Sequence, residues 1–164
     1  MDNPKKQDIE VLYQMYREDV YRYVLLLCTC PADAEDIVQN TFIRAMNGLG
    51  GFRGGSQIKT WLLAIARREV YRFAAKHPPV AGLDQLPEAE TAVCIEETVV
   101  NRQEGRKVLA YIEACPEPKR SLLAFRLVNG LPFTEVGQIL GKTDTWCRVT
   151  FLRAHNAIIK NSDK

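Results

Sequence analysis

With 164 residues, a net charge of +2 and 46% apolar residues, the chain has the composition of a folded, soluble protein and not of a disordered one. That length holds one medium domain or two small ones, and no apolar run reaches a bilayer span; the longest is Val24 to Cys28. Direct membrane insertion is therefore not expected. No apolar signal core follows Met1-Asp2-Asn3-Pro4-Lys5-Lys6, so the expected compartment is the cytoplasm.

The first element is an amphipathic helix. Ile9, Leu12, Tyr13, Tyr16, Val20, Tyr23, Val24 and Leu27 recur at intervals of three and four. Pro31 ends it, and Asp33 is expected to cap a second helix, with Asp36 three places on completing a capping-box-like start. In that helix Ala34, Ile37, Val38, Thr41, Phe42, Ala45 and Met46 form the core stripe. Asp36, Gln39, Asn40 and Ile43 share another face, which spacing alone leaves as either a solvated surface or a docking face.

The stretch Gly48-Leu-Gly-Gly-Phe-Arg-Gly-Gly-Ser-Gln57 is too rich in glycine for helix or strand interior and reads as a loop. A third helix follows, with Ile58, Leu62, Ile65, Ala66 and Phe73 on its buried side. Thr60, Arg67 and Tyr71 line up opposite, with Arg68 beside them. Cations interleaved with an aromatic suit a single-stranded nucleic acid, for phosphate contact and base stacking; a solvated basic face fits the same pattern. Glu69 falls on the buried side with no evident partner.

Charge is divided along the chain. Residues 1–76 carry 11 Lys and Arg against 9 Asp and Glu, residues 77–97 none against 5, and residues 98–164 carry 11 against 6. The acidic piece contains Pro78, Pro79 and Pro87 and no helical period, so it reads as a flexible linker. The expected architecture is all-α: two small helical domains, 1–76 and 98–164, joined by an acidic linker over 77–97.

In the second domain Val108, Leu109 and Ile112 mark a helix closed by Cys115-Pro116. Pro118 is expected in the first turn of the next helix, which carries Leu122, Phe125 and Leu127 before Asn129-Gly130. Phe133, Val136, Gly137 and Leu140 then share one face, Gly141 to Asp144 makes a tight turn, and a helix runs to about Ile159. Two helices about a short glycine-containing turn, the second longer and basic, form a helix-turn-helix pattern. In the last helix Cys147, Phe151, Ala154 and Ile158 face inward, while Thr145, Val149, Leu152 and Asn156 face out, flanked by Arg148, Trp146 and Arg153. Arginines there suit phosphates or guanine edges, and Val149 suits a thymine methyl.

Catalysis has little to stand on. Cys28, Cys30, Cys94, Cys115 and Cys147 have no two-residue gap of a zinc or redox motif, and His77 and His155 lie near no carboxylate or cysteine at catalytic spacing. Unpaired, mostly buried thiols are expected, with no metal, no cofactor and no enzymatic activity.

Three segments carry a resemblance to a known family. Asp33-Ala-Glu-Asp-Ile-Val-Gln-Asn-Thr-Phe-Ile-Arg-Ala45 resembles region 2.2 of the extracytoplasmic-function (group 4) sigma factors of bacterial RNA polymerase, in the sigma-70 family. Phe52-Arg-Gly-Gly-Ser-Gln-Ile-Lys-Thr-Trp-Leu62 with Ile65-Ala-Arg67 resembles regions 2.3 and 2.4. Gly130-Leu-Pro-Phe-Thr-Glu-Val-Gly-Gln-Ile-Leu-Gly141 with Arg148 to Ala154 resembles the helix-turn-helix of region 4.2.

The resemblance implies a transcription initiation factor that brings core polymerase to chosen promoters. Asp36, Gln39, Asn40, Ile43 and Arg44 would bind the clamp coiled coil of the beta-prime subunit, and the beta flap would be a further contact. Phe52, Arg53, Ser56, Lys59, Thr60, Trp61, Arg67, Arg68 and Tyr71 would read and melt the −10 element, holding a flipped base without ATP. Lys142, Thr143, Thr145, Trp146, Arg148, Val149 and Arg153 would read the −35 element in the major groove. The linker would thread toward the RNA exit path, and an anti-sigma factor would mask these surfaces. Asn40 stands where the family usually has Glu, Arg68 replaces a common Asn, and Pro132 replaces a frequent Ser cap. Trp146, Val149 and Thr150 replace frequent Thr, Ser and Arg. The rival reading is a conventional helix-turn-helix regulator, which leaves the Asp33–Phe73 pattern unexplained.

Overall fold

A computed structural model describes residues 4–28, 30–77 and 102–162. Apart from His77, the acidic linker lies outside the described residues, as does Cys94. The chain divides into two compact units, Met1–Leu86 and Pro87–Lys164. Every regular element among the described residues is helical.

In the first unit, helices α1 (Pro4–Cys28), α2 (Pro31–Gly48) and α3 (Ile58–Lys76) pack against one another in pairs. The repeated three- and four-residue spacing buries Val20, Tyr23 and Val24 of α1 against Ala34, Ile37, Val38 and Phe42 of α2. Leu62, Leu63, Ala66 and Val70 of α3 complete this core. Each such aliphatic side chain contributes roughly 1.5–3 kcal/mol on burial, which makes the three-helix core the main source of local stability. Tyr13 meets Phe42 edge-on at 5.0 Å, and Arg17 donates to Glu35 Oε1 at 2.7 Å, fixing α1 on α2. Thr41 lies in the helix interior at no hydrogen-bonding loss because its hydroxyl donates back to the Ile37 carbonyl at 2.7 Å.

Asp33 does not cap α2. The helix starts earlier: Cys30 is the N-cap, its carbonyl accepts from Ala34 N–H at 2.9 Å, and Pro31 opens the first turn. Proline suits that position because its fixed φ is already helical and its missing N–H would have no intrahelical acceptor. Asp33 instead lies within the first turn, where its charge favours the helix N-terminus. Met46, expected in the core stripe, is exposed at the end of that stripe.

The second unit contains α4 (Arg102–Ala114), α5 (Lys119–Leu123), α6 (Phe133–Leu140) and α7 (Asp144–Ser162). Ile112, Cys115, Leu123 and Ala154 form a buried cluster, with Val108, Tyr111 and Phe151 packed around it. Arg120 closes α4 by donating to the carbonyls of Cys115 and Glu113, acceptors that a helix end leaves without intrahelical partners. Pro118 is the N-cap of α5 and not a first-turn residue; only its carbonyl is used, accepting from Leu122 N–H at 3.1 Å. After α5 the backbone widens into a π turn over Ala124–Val128, with Asn129 N–H reaching the Ala124 carbonyl. The wider turn shifts the phase of the helix, so Leu127, expected inside, is exposed while Phe125 stays fully buried.

No helix among the described residues is long and apolar enough to cross a membrane. Nor do they hold a cluster of three metal-ligating side chains. Cys28, Cys30, Cys115 and Cys147 are free thiols, two half-buried and two buried.

Candidate nucleic-acid and partner interfaces

Helix α2 buries one side in the core, and its other side forms a ridge of Asp36, Gln39, Asn40, Ile43 and Arg44, all exposed. The β-branched Ile43 is 53% exposed, an apolar side chain held out among polar ones. A groove runs on each side of the ridge. One, of about 420 Å³, is apolar and lies between α1 and α2, lined by Ile9, Tyr13, Phe42 and Met46. The other, of about 610 Å³, is polar and lies between α2 and α3, with Asp36, Arg44, Glu69, Arg72 and Lys76 in its walls. Gln39 and Ile43 line both grooves. The ridge thus presents one apolar anchor inside a polar rim, the usual composition of a protein-binding patch.

Glu69 has the partners that its buried position demands. Its Oε1 accepts from Arg72 Nη1 at 2.8 Å, one turn along α3, and pairs with Arg44 Nε of α2 at 3.1 Å. Sequence periodicity places Glu69 inward but gives no sign of which helix faces it.

The glycine-rich segment leaves α2 through a single 3₁₀ turn, Leu49–Gly51, and Phe52 N–H closes that turn on the Leu49 carbonyl at 3.2 Å. Phe52 then packs on Trp61, with ring centroids 5.1 Å apart. Trp61 is half-buried and lies under Gly48 as well, where an added methyl would sit 3.5 Å from its ring. Beyond this anchor Arg53, Gly54 and Gly55 are exposed, and Gly54 has a φ of 75° that favours glycine. Ser56 is half-buried, its hydroxyl directed at the Gln57 carbonyl at 3.4 Å.

On α3, Arg67 and Tyr71 form one unit: Arg67 Nη2 donates to the Tyr71 hydroxyl at 3.0 Å, and the guanidinium lies 4.8 Å from the ring centre. Arg68 is exposed beside them. Two residues of the expected stripe are placed differently. Thr60 is buried, at 2% exposure, although its helical phase matches that of Arg67. The reason is coverage and not phase: α1 packs across the start of α3, as the Lys59–Asp19 ion pair at 3.4 Å marks. Thr60 therefore belongs to the packed interior and not to an exposed strip. Lys59 is partly committed to Asp19 of α1, a partner that sequence spacing does not reveal.

In the second unit, α6 and α7 form a tight helix-turn-helix. Gly141 ends α6 at φ 67°, and Lys142 N–H returns to the Gly137 carbonyl at 3.0 Å. Gly137 is required by contact: a Cβ there would lie 2.6 Å from the Lys142 carbonyl oxygen. Thr143 is the N-cap of α7, its hydroxyl accepting from Trp146 N–H at 3.0 Å and its carbonyl accepting from Cys147 N–H at 3.1 Å.

Thr145, Arg148, Val149, Leu152 and Arg153 are exposed on α7, while Trp146 is half-buried with the exposed Lys142 ammonium 5.2 Å from its ring. Arg148 is tied to Asp144 Oδ2 at 2.6 Å and lies over Phe133, whose ring also receives Arg126 at 4.6 Å. Phe133 was legible only as an apolar residue of α6; the two guanidinium groups on its ring depend on the π turn and α7 meeting there.

Family comparison matches residues 12–78 to the Sigma-70 region 2 model. RNA polymerase sigma factor YlaC of Bacillus subtilis is 29% identical over 97% of this chain and 94% of its own. The ECF RNA polymerase sigma-E factor of Escherichia coli is 30% identical over 77% of this chain and 72% of its own. The fold is similar to that of CnrH, solved with the cytosolic domain of CnrY, at a TM-score of 0.69 and 18% identity over 96% of this chain and 89% of the other. It is also similar to the sigma factor RpoE of Bartonella quintana, solved with the anti-sigma factor NepR, at a TM-score of 0.69 and 16% identity over 94% and 96%. A chain whose described elements are all helical, whose first unit matches sigma region 2, and whose sequence follows the sigma-E factors at 30% identity over most of both lengths, belongs to the ECF RNA polymerase sigma factors.

Proposed function

We propose that this chain is an alternative sigma factor that docks on core RNA polymerase through the α2 ridge and directs it to promoters in the cytoplasm. It carries out no bond chemistry of its own. The observation that carries this reading is the first unit's division of labour. One rigid core holds the Gln39–Ile43–Arg44 ridge on α2 and, on α3, the Arg67–Tyr71 pair with Arg68 and the open Arg53 loop.

In this reading Asp36, Gln39, Asn40, Ile43 and Arg44 meet the beta-prime clamp. Phe52 and Trp61 anchor the loop, and Arg53, Ser56, Lys59, Arg67, Arg68 and Tyr71 face the −10 strand. Lys59 reaches DNA by exchanging its Asp19 partner for phosphate, while Thr60 supports the start of α3 from inside. On α7, Thr145, Arg148, Val149 and Arg153 face the −35 major groove, with Lys142 and Trp146 at its edge and Thr143 setting the helix start. The second unit also supplies the beta-flap contact. An arginine held by Asp144 enters the groove in a fixed pose, which favours base-edge contact over a roaming phosphate contact.

Control by an anti-sigma factor fits the exposed Val149, Leu152 and Ile159 on α7, apolar side chains that a DNA-facing helix leaves uncovered before it binds DNA. The Bartonella quintana relative of this fold was solved with such a partner. Runoff transcription with core polymerase, with and without this protein, tests the main claim: new start sites are expected, and their absence removes it.

A further inference from the structure

Among the described residues, Glu69 is the single Asp, Glu, Lys or Arg side chain fully withdrawn from solvent, at 6% exposure. A carboxylate in that position is tolerated only with cationic partners and hydrogen bonds. Both partners are arginines whose own side chains are about half exposed, Arg44 at 56% and Arg72 at 48%. They come from different helices and converge on the same oxygen, Oε1.

The geometry at Arg44 is specific. Contact with Glu69 uses Nε, at 3.1 Å, on one edge of the guanidinium plane. The rest of the Arg44 side chain is open to solvent, at 56% exposure. Arg44 is thus paired from within by α3 and lines the polar groove beside Asn40, Ile43 and Asn47. A guanidinium held this way can take a carboxylate end-on through two parallel N–H donors. A long side chain already fixed in its bound pose also loses less rotamer freedom when a partner arrives.

We propose that Glu69 is a positioning residue for polymerase docking: from α3 it holds the Arg44 guanidinium of α2 in the pose that receives a carboxylate of the partner. The proposal rests on the reading of α2 as the docking helix. It gives Glu69 a role in recognition although its own carboxylate never reaches the partner. It also places the second arginine, Arg72, as the hydrogen-bond donor that holds the Glu69 carboxylate in place while Arg44 is shared with the partner.

The test is a double-mutant cycle on the full chain, with affinity for core polymerase as the readout. Glu69→Gln keeps the side-chain shape but removes the charge, and should weaken core binding by about fivefold to tenfold, the scale of releasing one long side chain and misaligning one ion pair. Arg44→Ala should weaken it by at least as much, and Glu69→Gln should add nothing in the Arg44→Ala background. At saturating core, the Glu69→Gln holoenzyme should open a promoter at the unaltered rate. Thermal unfolding followed for every variant is the control for general loosening of α2 on α3. Wild-type affinity in Glu69→Gln overturns the proposal. So does a penalty that adds independently to Arg44→Ala. Ile43→Asp tests the docking reading separately: if it binds core as well as wild type, the docking helix is misassigned and the proposal falls with it. Lost affinity in Ile43→Asp with none lost in Glu69→Gln removes the positioning role alone.

Discussion

Phe52 lies against Trp61 with ring centroids 5.1 Å apart and an interplanar angle of 44°, pinning the start of the glycine-rich loop to the first turn of α3. Residues Arg53 to Gly55 then stand clear of the core. The loop is therefore not a slack connector: one end is fixed and only its tip stands free, the part that in the proposed reading holds an extruded base. Changing Arg53 to Ala should slow promoter opening by an order of magnitude, about 1.4 kcal/mol, while leaving core affinity within twofold. Lys59→Ala should have a smaller effect, because part of its charge is spent on Asp19; Asp19→Asn, which frees the ammonium, should offset part of any salt sensitivity. Permanganate footprinting of the −10 region and a core-binding titration separate the two steps. Equal losses in both would place Arg53 in docking instead.

Gly137 carries the tightest steric demand in the second unit. A methyl there meets a backbone carbonyl, which cannot swing aside as a side chain would. Gly137→Ala should destabilise the helix-turn-helix by about 1–3 kcal/mol, the usual range for forcing an extra group into a packed turn. Denaturant unfolding monitored in the second unit measures this, and −35-dependent transcription should fall in parallel. An unchanged midpoint would mean the turn has a second arrangement.

Much of this arrangement is legible in the sequence because helical periodicity reports burial directly: Ile37, Val38, Leu62, Ala66, Cys147 and Ala154 fall where the spacing places them. The failures share a cause. Thr60 has the right phase for an exposed strip but is covered by a neighbouring helix, and periodicity within one helix carries no information about its neighbours. Leu127 is turned outward by a π turn whose backbone pattern has no residue signature. Asp33 was expected as a cap on side-chain chemistry, yet Pro31 started the helix first. Glu69 is the instructive intermediate case. Its oddity shows in the sequence, as an acid on a buried face, but Arg44 lies 25 positions away and only the packing of α2 on α3 names it.

Thr143, expected as a −35 contact, sets the start of α7, and we propose that it serves recognition through that cap. Its hydroxyl and carbonyl both receive N–H groups of the first turn of α7. Thr143→Ala should cost about 1 kcal/mol of stability, and Thr143→Ser should restore it, because either hydroxyl satisfies the same N–H. The slope of holoenzyme binding against salt should stay unchanged in Thr143→Ala, whereas loss of a phosphate contact, as expected for Arg153→Ala, reduces it by roughly 0.9. A reduced slope in Thr143→Ala would make it a DNA contact after all.

Cys28 follows from its burial. Desolvation pushes its thiol up to about 11, the largest influence there, against a weaker opposing hydrogen bond from the backbone. The neutral thiol is thus favoured in the folded state. Its contribution to stability is complete below the ordinary thiol range and is lost as pH rises through about 11. At pH 8 the thiolate fraction is on the order of one in a thousand, so alkylation of Cys28 in the folded protein should be slow and should accelerate about tenfold per pH unit. Mass-resolved iodoacetamide labelling between pH 7 and 9, against the rate for the denatured chain, checks this; a rate independent of pH would show that opening of the fold, and not ionisation, limits labelling.

Leu152 gives the sharpest test of regulation by a masking protein. It is 59% exposed on α7, with Val149 one turn before it and Ile159 two turns after it, among polar residues that include the exposed Arg148 and Arg153. Burial of such a leucine in a protein interface is worth about 1.5–3 kcal/mol, and an aspartate in its place would in addition put an unpaired charge into the contact. Leu152→Asp should therefore weaken binding of a cognate anti-sigma factor by at least about tenfold, since 1.4 kcal/mol is a factor of ten. Core polymerase affinity, which in this reading rests mainly on the first unit's ridge with the flap contact as a smaller share, should fall far less. Co-purification and titration of the two complexes give both numbers from one variant. If the anti-sigma complex holds at full strength, the masking surface lies elsewhere, and the exposed apolar line along α7 serves the DNA or the flap alone.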